Sequence, residues 1–414
     1  MVNFKKILKC RLCKNSKLKM IFDFGNLPLG NNLQSLRYKS KTTEVYPLVL
    51  EQCQSCHHFQ LNCSVNPKIL YATNYTYLSG IGASFREHIS EYVQWVSKKS
   101  KIKKNDFVFE IGSNDGTCLK EFKSVGFKVC GVDPAKKPSS IANKNNIHTI
   151  NDFFNKSVIK NVESLYGKPN LITSQNVLAH IDDISNIFDL SYHFLKDGGY
   201  FVFEVGYFKQ VLENDLFDTI YHEHLDYHHA APLVKFLNNI GFSIKEITTN
   251  FSQGGSIRFL LQKSKVKTVS KQANMFVKNE YSSILYKEGH IKNWIPNIKV
   301  NLKKLKDFVK KKKGKGYNII GYGAPTKATL LIEMSQLSSK DVDYIVEDNE
   351  LKIGKFLPKV GIEIKSVNEL NKMNKVCIII FAWNFANDII FKLKKYNKNF
   401  IILKPLPKFE LIKL

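Results

Sequence analysis

Apolar residues along the chain fall into two kinds of run. Short continuous stretches bounded by glycine, aspartate or asparagine read as buried β-strands: 107–111, 127–132, 170–174, 200–205, 317–322, 342–346 and 376–381. Helical spacing marks 117–122, 185–195 and the stretch that begins at 328. Ile291, Trp294, Ile295, Ile298, Leu302, Leu305 and Val309 recur three and four apart, the stripe of an amphipathic helix, and Lys310 to Lys313 with Gly314 supply a C-terminal stop. That lysine run is either a solvated, dipole-favourable end or a binding patch. Strands alternating with helices predict an α/β protein with parallel sheets.

Composition narrows the partners. The 414 residues suffice for roughly two to four domains, and Lys+Arg of 62 against Asp+Glu of 36 gives a net charge of +26. The excess is mostly lysine scattered among asparagine and isoleucine, without the arginine-rich stripes and interleaved aromatics of a nucleic-acid surface. Neither nucleic-acid binding nor membrane insertion is expected, since no apolar run approaches the ~20 residues of a span. Residues 1–10 lack a signal-peptide apolar core. A cytoplasmic protein with reduced cysteines is expected, so close cysteine pairs point to a metal before a disulfide.

Two such pairs occur, Cys10-Arg-Leu-Cys13 and Cys53-Gln-Ser-Cys56. Each C-x-x-C turn offers two thiolates, and two turns complete a tetrahedral structural Zn2+ site with no open position for catalysis. A redox role or coincidence is the alternative. His57 and His58 could substitute as ligands, although four thiolates already close the shell. Segments 22–25 and 27–30 read as strand and turn between the knuckles, and Cys63, Cys118, Cys130 and Cys377 as buried apolar residues. Beyond them, Tyr75, Tyr77, Ser79, Phe85 and His88 crowd together, as a pocket wall or as interdomain packing.

Strand 107–111 runs into Glu110-Ile-Gly112-Ser113-Asn114-Asp-Gly116, and the next strand ends at Asp133. That acid falls where a βαβ unit accepts ribose hydroxyls. The loop lacks the G-x-G-x-x-G pattern, and Glu110 precedes its glycines. An acid there repels pyrophosphate but suits a sulfonium and an ammonium, which favours S-adenosylmethionine (SAM) over NAD. Asn176 and His180 follow strand 170–174, at the carboxyl end where ligands of such sheets bind.

The run Tyr221-His222-Glu223-His224-Leu-Asp-Tyr-His228-His229 concentrates histidine. Three readings compete: acid–base catalysis, for which histidine is the usual base, a structural polar cluster, and a metal site outside the H-E-x-x-H pattern. A base beside a tyrosine suits proton abstraction next to a carbonyl, with hydroxyl or imidazole donors holding the enolate oxygen. Ser252 to Arg258 reads as a glycine turn entering a strand. In the last third, Gly323-Ala-Pro325-Thr-Lys327 follows strand 317–322 and could present amides and Lys327 to a phosphate. The alternative is a nucleotide-type fold used only for packing.

Taken together these motifs resemble the SAM-dependent nucleotide-sugar C-methyltransferases. The resemblance covers nearly the whole chain and adds Asn74-Tyr75-x-Tyr77-x-Ser79, Asn176-Val-Leu-Ala-His180, Gly254-Gly-Ser256 and Ala382-Trp-Asn384-Phe385. It implies a zinc-binding module over 1–72, a class I Rossmann-like methyltransferase domain over 73–265, and linker helices with a C-terminal α/β Rossmann-like domain over 266–414. It also implies methylation of the carbon alpha to the ketone of a nucleotide-linked 4-keto-deoxysugar, in deoxysugar or surface-polysaccharide biosynthesis. In that scheme His224 is the base, and Tyr221, Glu223 and His180 position the sugar or stabilise the enolate; the sequence leaves open whether His222 or His224 takes the proton. Tyr75, Glu110, Gly112, Ser113, Asn114, Gly116, Asp133 and Asn176 hold SAM. Tyr77, His222, Gly323, Pro325, Lys327 and Asn384 hold the sugar nucleotide, and Cys10, Cys13, Cys53 and Cys56 hold Zn2+. Thr326 and Ala328 depart from the smaller residues expected around the lysine. O- or N-methylation of a nucleotide sugar, or a non-catalytic zinc-containing binding protein, are the other readings. The sugar, its nucleotide (TDP, GDP or CDP), the ring carbon and the oligomeric state stay open.

Overall fold

The computed structural model of the protein describes residues 3–35, 43–72, 75–396 and 399–414. Asn74 of the tyrosine motif lies outside them. Two compact units interleave along the chain. Met1–Met20, Glu51–Lys209 and Glu223–Lys287 form the first, and Ile21–Leu50, Gln210–His222 and Glu288–Leu414 the second. The chain-order boundaries drawn above run sequentially, whereas these units are each built from three segments.

The chain begins with β1 (Phe4–Lys6), β2 (Leu18–Pro28), β3 (Val45–Cys53), β4 (Phe59–Leu61) and β5 (Cys63–Val65), of which β1, β4 and β5 belong to the first unit and β2 and β3 mostly to the second. β1 pairs antiparallel with β5, while β2 and β3 carry the chain out to the second unit and back. Five parallel strands follow: β6 (Phe107–Ile111), β7 (Lys128–Val132), β8 (Thr149–Ile150), β9 (Leu171–Gln175) and β10 (Tyr200–Gly206). β11 (Asp226–Tyr227) leaves that sheet to pair antiparallel with β4. β12 (Phe242–Asn250) and β13 (Ser256–Lys263) form a hairpin that joins β10 antiparallel. The complete order is β12-β13-β10-β9-β6-β7-β8.

All five residues of β6 are buried, as expected where helices cover both faces of a parallel sheet. The expected strand 107–111 coincides with β6, and the others agree within two residues. Strand order reverses between β6 and β9. Loops leaving their carboxyl ends therefore diverge and open a crevice, the place where such sheets bind ligands.

The second unit carries a similar sheet. β14 (Asn318–Tyr322), β15 (Tyr344–Glu347), β16 (Ile364–Ser366), β17 (Val376–Ile380) and β18 (Ile401–Lys404) are parallel, and β19 (Glu410–Lys413) closes one edge antiparallel. The order β16-β15-β14-β17-β18-β19 reverses between β14 and β17. The expected amphipathic helix is Glu288–Gly314, and it buries Trp294, Ile298, Leu302, Leu305 and Val309 from its stripe. No helix of the described residues is long and apolar enough to cross a membrane.

Candidate active site

The four cysteines of the two knuckles meet. Their sulfurs all lie within 4.8 Å of one another, with Cys10–Cys56 at 3.6 Å and Cys13–Cys53 at 3.5 Å. A tetrahedron of Zn–S bonds near 2.3 Å has edges of about 3.8 Å, so the donor set fits Zn2+. Backbone amides of Cys13 and Ser55 point at the sulfurs of Cys10 and Cys53, as tight thiolate knuckles require. His58 is not a ligand. Its Nε2 sits 2.9 Å from Asp226. Cys63, Cys118, Cys130 and Cys377 are buried, as expected.

The glycine loop after β6 is held from three sides. The Asn114 amide donates to Asp133 Oδ2 at 2.9 Å, and the Ala135 amide to Oδ1 at 2.8 Å. Asn114 in turn ties down the tyrosine segment: its side chain accepts from the Ser79 amide at 3.0 Å and donates to the Tyr77 carbonyl at 3.1 Å. Gly80 donates to Asp115 at 2.9 Å. Rings of Tyr71, Tyr75 and Tyr77 follow one another at 5.7 and 6.5 Å. Asn176, leaving β9 at φ 54°, donates its amide to the Glu204 carbonyl.

Glu110 lies at this loop with 2% exposure, and its Oε2 has no hydrogen-bond partner. Burial pushes its carboxyl up to about 8, against a bond from Cys118 and reinforced by Asp133 and Asp115. Burial likewise raises Asp133 to about 6, partly offset by the amides of Ala135 and Asn114. Two acids short of compensating charge around a glycine loop suit a cationic ligand rather than a phosphate. SAM, with its sulfonium and ammonium, fits the chemistry of the residues present.

Gly112 shows why the loop needs glycine. Its φ is +72°, and a Cβ there would lie 2.3 Å from Val177 Cγ2, beside Asn176. Gly112→Ala is expected to lower the melting temperature by about 4 °C, as left-handed strain of 1–2 kcal/mol adds to the clash. SAM affinity should fall at least about tenfold by calorimetry, because the shifted Val177 disturbs the loop after β9.

His180 and His224 come together from separate loops, ring centroids 4.8 Å apart and planes at 89°. Tyr71 Oη lies 3.1 Å from His180 Nδ1 and donates to the Glu223 carbonyl at 3.2 Å. Burial, then the proximity of His224, hold His180 well below the usual imidazole range. His180 is therefore neutral near pH 7. Along the run 221–224, His222 and Glu223 are both buried and Tyr221 and His224 half-buried. A loop frees successive residues from the two-face rule of a strand. The run also passes from the second unit into the first between His222 and Glu223.

Several polar residues that sequence reasoning missed sit close by. Tyr71 lies just ahead of the tyrosine motif and carries no local signal of its own. Glu204, fully buried on β10, binds His88 at 2.6 Å, Asn250 at 2.8 Å and Arg258 at 2.8 and 2.9 Å. Arg258 stacks over Tyr92 and Trp95, so the glycine turn at 252–255 leads into a buried ion pair. Glu280 accepts from Tyr207, from His229 and from the amides of Ala230 and Ala231. His229 thus serves a helix start.

In the second unit Tyr221 and His222 line a small cavity with Gly30, Leu48, Thr326 and Leu330. His222 Nε2 lies 3.1 Å from the Tyr46 carbonyl, and burial lowers its imidazole to about 4. At the ends of β14 and β17, Gly323 takes φ +81° and a Cβ there would meet Ala382 at 2.6 Å, and Pro325 precedes the helix Thr326–Met334 at its N-cap. Lys327 Nζ donates to Asn384 at 2.9 Å and lies 3.7 Å from the Trp383 ring centre. Burial lowers Lys327 to about 8, with Asp218 opposing. Trp383 Nε1 donates to Asp218 at 2.6 Å.

The reversing seven-stranded sheet and its acidic glycine loop define a class I SAM-dependent methyltransferase. Comparisons with known proteins agree and go further. Residues 10–71 match a family model described as a zinc binding domain, 84–247 a methyltransferase domain, and 251–407 a C-methyltransferase C-terminal domain. In carrying these three parts the chain is similar to C-methyltransferases. It is 27% identical over 404 residues to C-methyltransferase NovU of Streptomyces niveus, covering 97% of this chain and 96% of that protein. Among solved structures, magnesium protoporphyrin IX methyltransferase of Synechocystis with bound SAM matches 43% of this chain and 79% of its own, at 15% identity and TM-score 0.33. A SAM-dependent methyltransferase of Archaeoglobus fulgidus matches 43% and 94%, at 16% identity and TM-score 0.36.

Proposed function

We propose that this C-methyltransferase acts on the carbon alpha to the ketone of a nucleotide-linked 4-keto-deoxysugar, with His224 as general base, in deoxysugar or surface-polysaccharide biosynthesis in the cytoplasm. The perpendicular contact of His180 with His224 carries this reading. Two imidazoles so close do not both hold a charge, and His180 is the one kept neutral. His224 is left to receive the proton from carbon. The electron pair of the broken C–H bond moves into the enolate, whose oxygen is held by a neutral donor, for which His180 is assigned. Bound SAM supplies the methyl group to that carbon. Glu223 positions His224 through its carbonyl bond to Tyr71.

Tyr75, Glu110, Gly112, Ser113, Asn114, Gly116, Asp133 and Asn176 are assigned to SAM, Tyr77 and His222 to the sugar. In the second unit Gly323, Pro325, Lys327 and Asn384 are assigned to the diphosphate. Their convergence at one pair of strand ends supports this, and an anion there would raise the Lys327 amine again.

Glu110 makes a pH-dependent prediction. Protonated below about 8 in the free protein, it must ionise to pair with the SAM ammonium. Binding at pH 7 should release a proton, and SAM affinity should rise from pH 6.5 to about 8.5. Calorimetry in buffers of different ionisation enthalpy reads that proton directly, and Glu110→Gln should abolish it. By the same linkage the raised folded pKa makes the contribution of Glu110 to stability decline as pH climbs from about 4.5 towards 8.

Turnover of TDP-, GDP- and CDP-linked 4-keto sugars with labelled SAM, followed by NMR location of the methyl, tests the substrate. Solvent deuterium should enter the methylated carbon's position in the substrate. Methyl transfer to oxygen or nitrogen without that exchange would reject the enolate route.

A further inference from the structure

Arg11 lies between the zinc ligands Cys10 and Cys13, yet its side chain serves another purpose. It is 4% exposed. Its Nε lies 2.9 Å from both carboxylate oxygens of Asp226. Its Nη2 donates to the carbonyls of Ile181 and, at 2.8 Å, of Asp182. Ile181 follows His180, and Asp226 is two residues past His224. One guanidinium therefore ties together the two loops that bear the imidazole pair. The second knuckle contributes to the same carboxylate: His58, two residues past Cys56, bonds Asp226 Oδ1 at 2.9 Å. Main-chain bonds complete the clamp, from Leu225 to Ala179 at 2.7 Å and from Leu61 to Leu225 at 2.9 Å.

We infer that Arg11 is a positioning residue for the reaction: anchored by the cysteine knuckles, it sets the mutual placement of His224 and His180. Burying a guanidinium and a carboxylate gains little net stability over apolar packing, whereas the planar fork with several fixed donors sets direction as well as distance. The ammonium of a lysine cannot span Asp226 and two carbonyls with that geometry. The catalytic meaning of the placement rests on the reading of His224 as base.

The test compares Arg11→Lys with the wild type as full-length, zinc-loaded protein. Zinc content and SAM affinity should be unchanged. The side-chain 15N resonances of His180 and His224 should shift, and kcat should fall about 10–100-fold with little change in KM. Unshifted imidazole resonances, or shifted resonances with full turnover, would overturn the inference. So would loss of zinc together with turnover, which makes Arg11 a support of the metal module alone. If Arg11→Lys does not fold, Asp226→Asn is put through the same measurements. Should the wild type accept no 4-keto sugar, the substrate reading fails while the resonance comparison still decides the placement.

Discussion

His224→Asn should lower kcat by about 10²–10⁴-fold, the usual worth of a general base, while SAM affinity changes less than about twofold. Asparagine keeps much of the size and polarity of the ring but cannot take a proton at neutral pH. His224 lies on the loop before β11, whereas most of the residues assigned to the cofactor lie on the loops after β6, β7 and β9. The lesion should therefore appear in chemistry and not in cofactor binding. Deuterium exchange into the sugar should vanish with turnover, because both need the same proton abstraction. His180→Asn should cost less, since it removes a donor to the enolate oxygen and not the base, and the asparagine amide can still donate. Full turnover by the His224 variant would reject the assignment, and the equality of both losses would shift the base to the pair as a unit.

Removal of zinc should have the largest effect on stability. Structural zinc sites contribute about 10–16 kcal/mol to the folding of small modules. Here Cys10 and Cys53 are fully buried, and the knuckles hold Arg11 and His58 on Asp226. Stripping the metal leaves four thiols crowded within 4.8 Å and frees that clamp. Dialysis against a strong chelator should lower the melting temperature by more than about 10 °C, the scale expected when several kcal/mol are lost from a domain of this size. Turnover should be lost with it and return on adding Zn2+. Ser substitution at Cys63 or Cys377 should leave one zinc per chain. A chelated protein with unchanged melting and turnover would show that the cysteine cluster has no structural duty.

Much of the chemistry was readable along the chain because it is local. The cysteine knuckles, the Glu110–Gly116 loop and the Gly323–Lys327 turn are each short stretches in which residue type and backbone demand coincide. Gly112 and Gly323 need positive φ and closeness to a neighbour, and only glycine satisfies both. Strands β6 and β14 announced themselves because burial on both faces leaves a short run mostly apolar. Locality said less at 221–224, where the chain forms a loop that passes from one unit to the other and spacing does not fix which residues share a face.

Pattern and residue type alone settled the α/β class, the four thiolates and the cofactor's charge, since each depends on neighbours a few positions apart. Folding alone decided which distant groups face one another. His180 meets His224, Tyr71 reaches both their loops, Arg11 joins Asp226 across 215 positions, and Glu204 gathers His88, Asn250 and Arg258. Such partnerships rest on hydrogen bonds and burial between segments far apart in the chain, and a buried charge gives no local sign of the partner that compensates it.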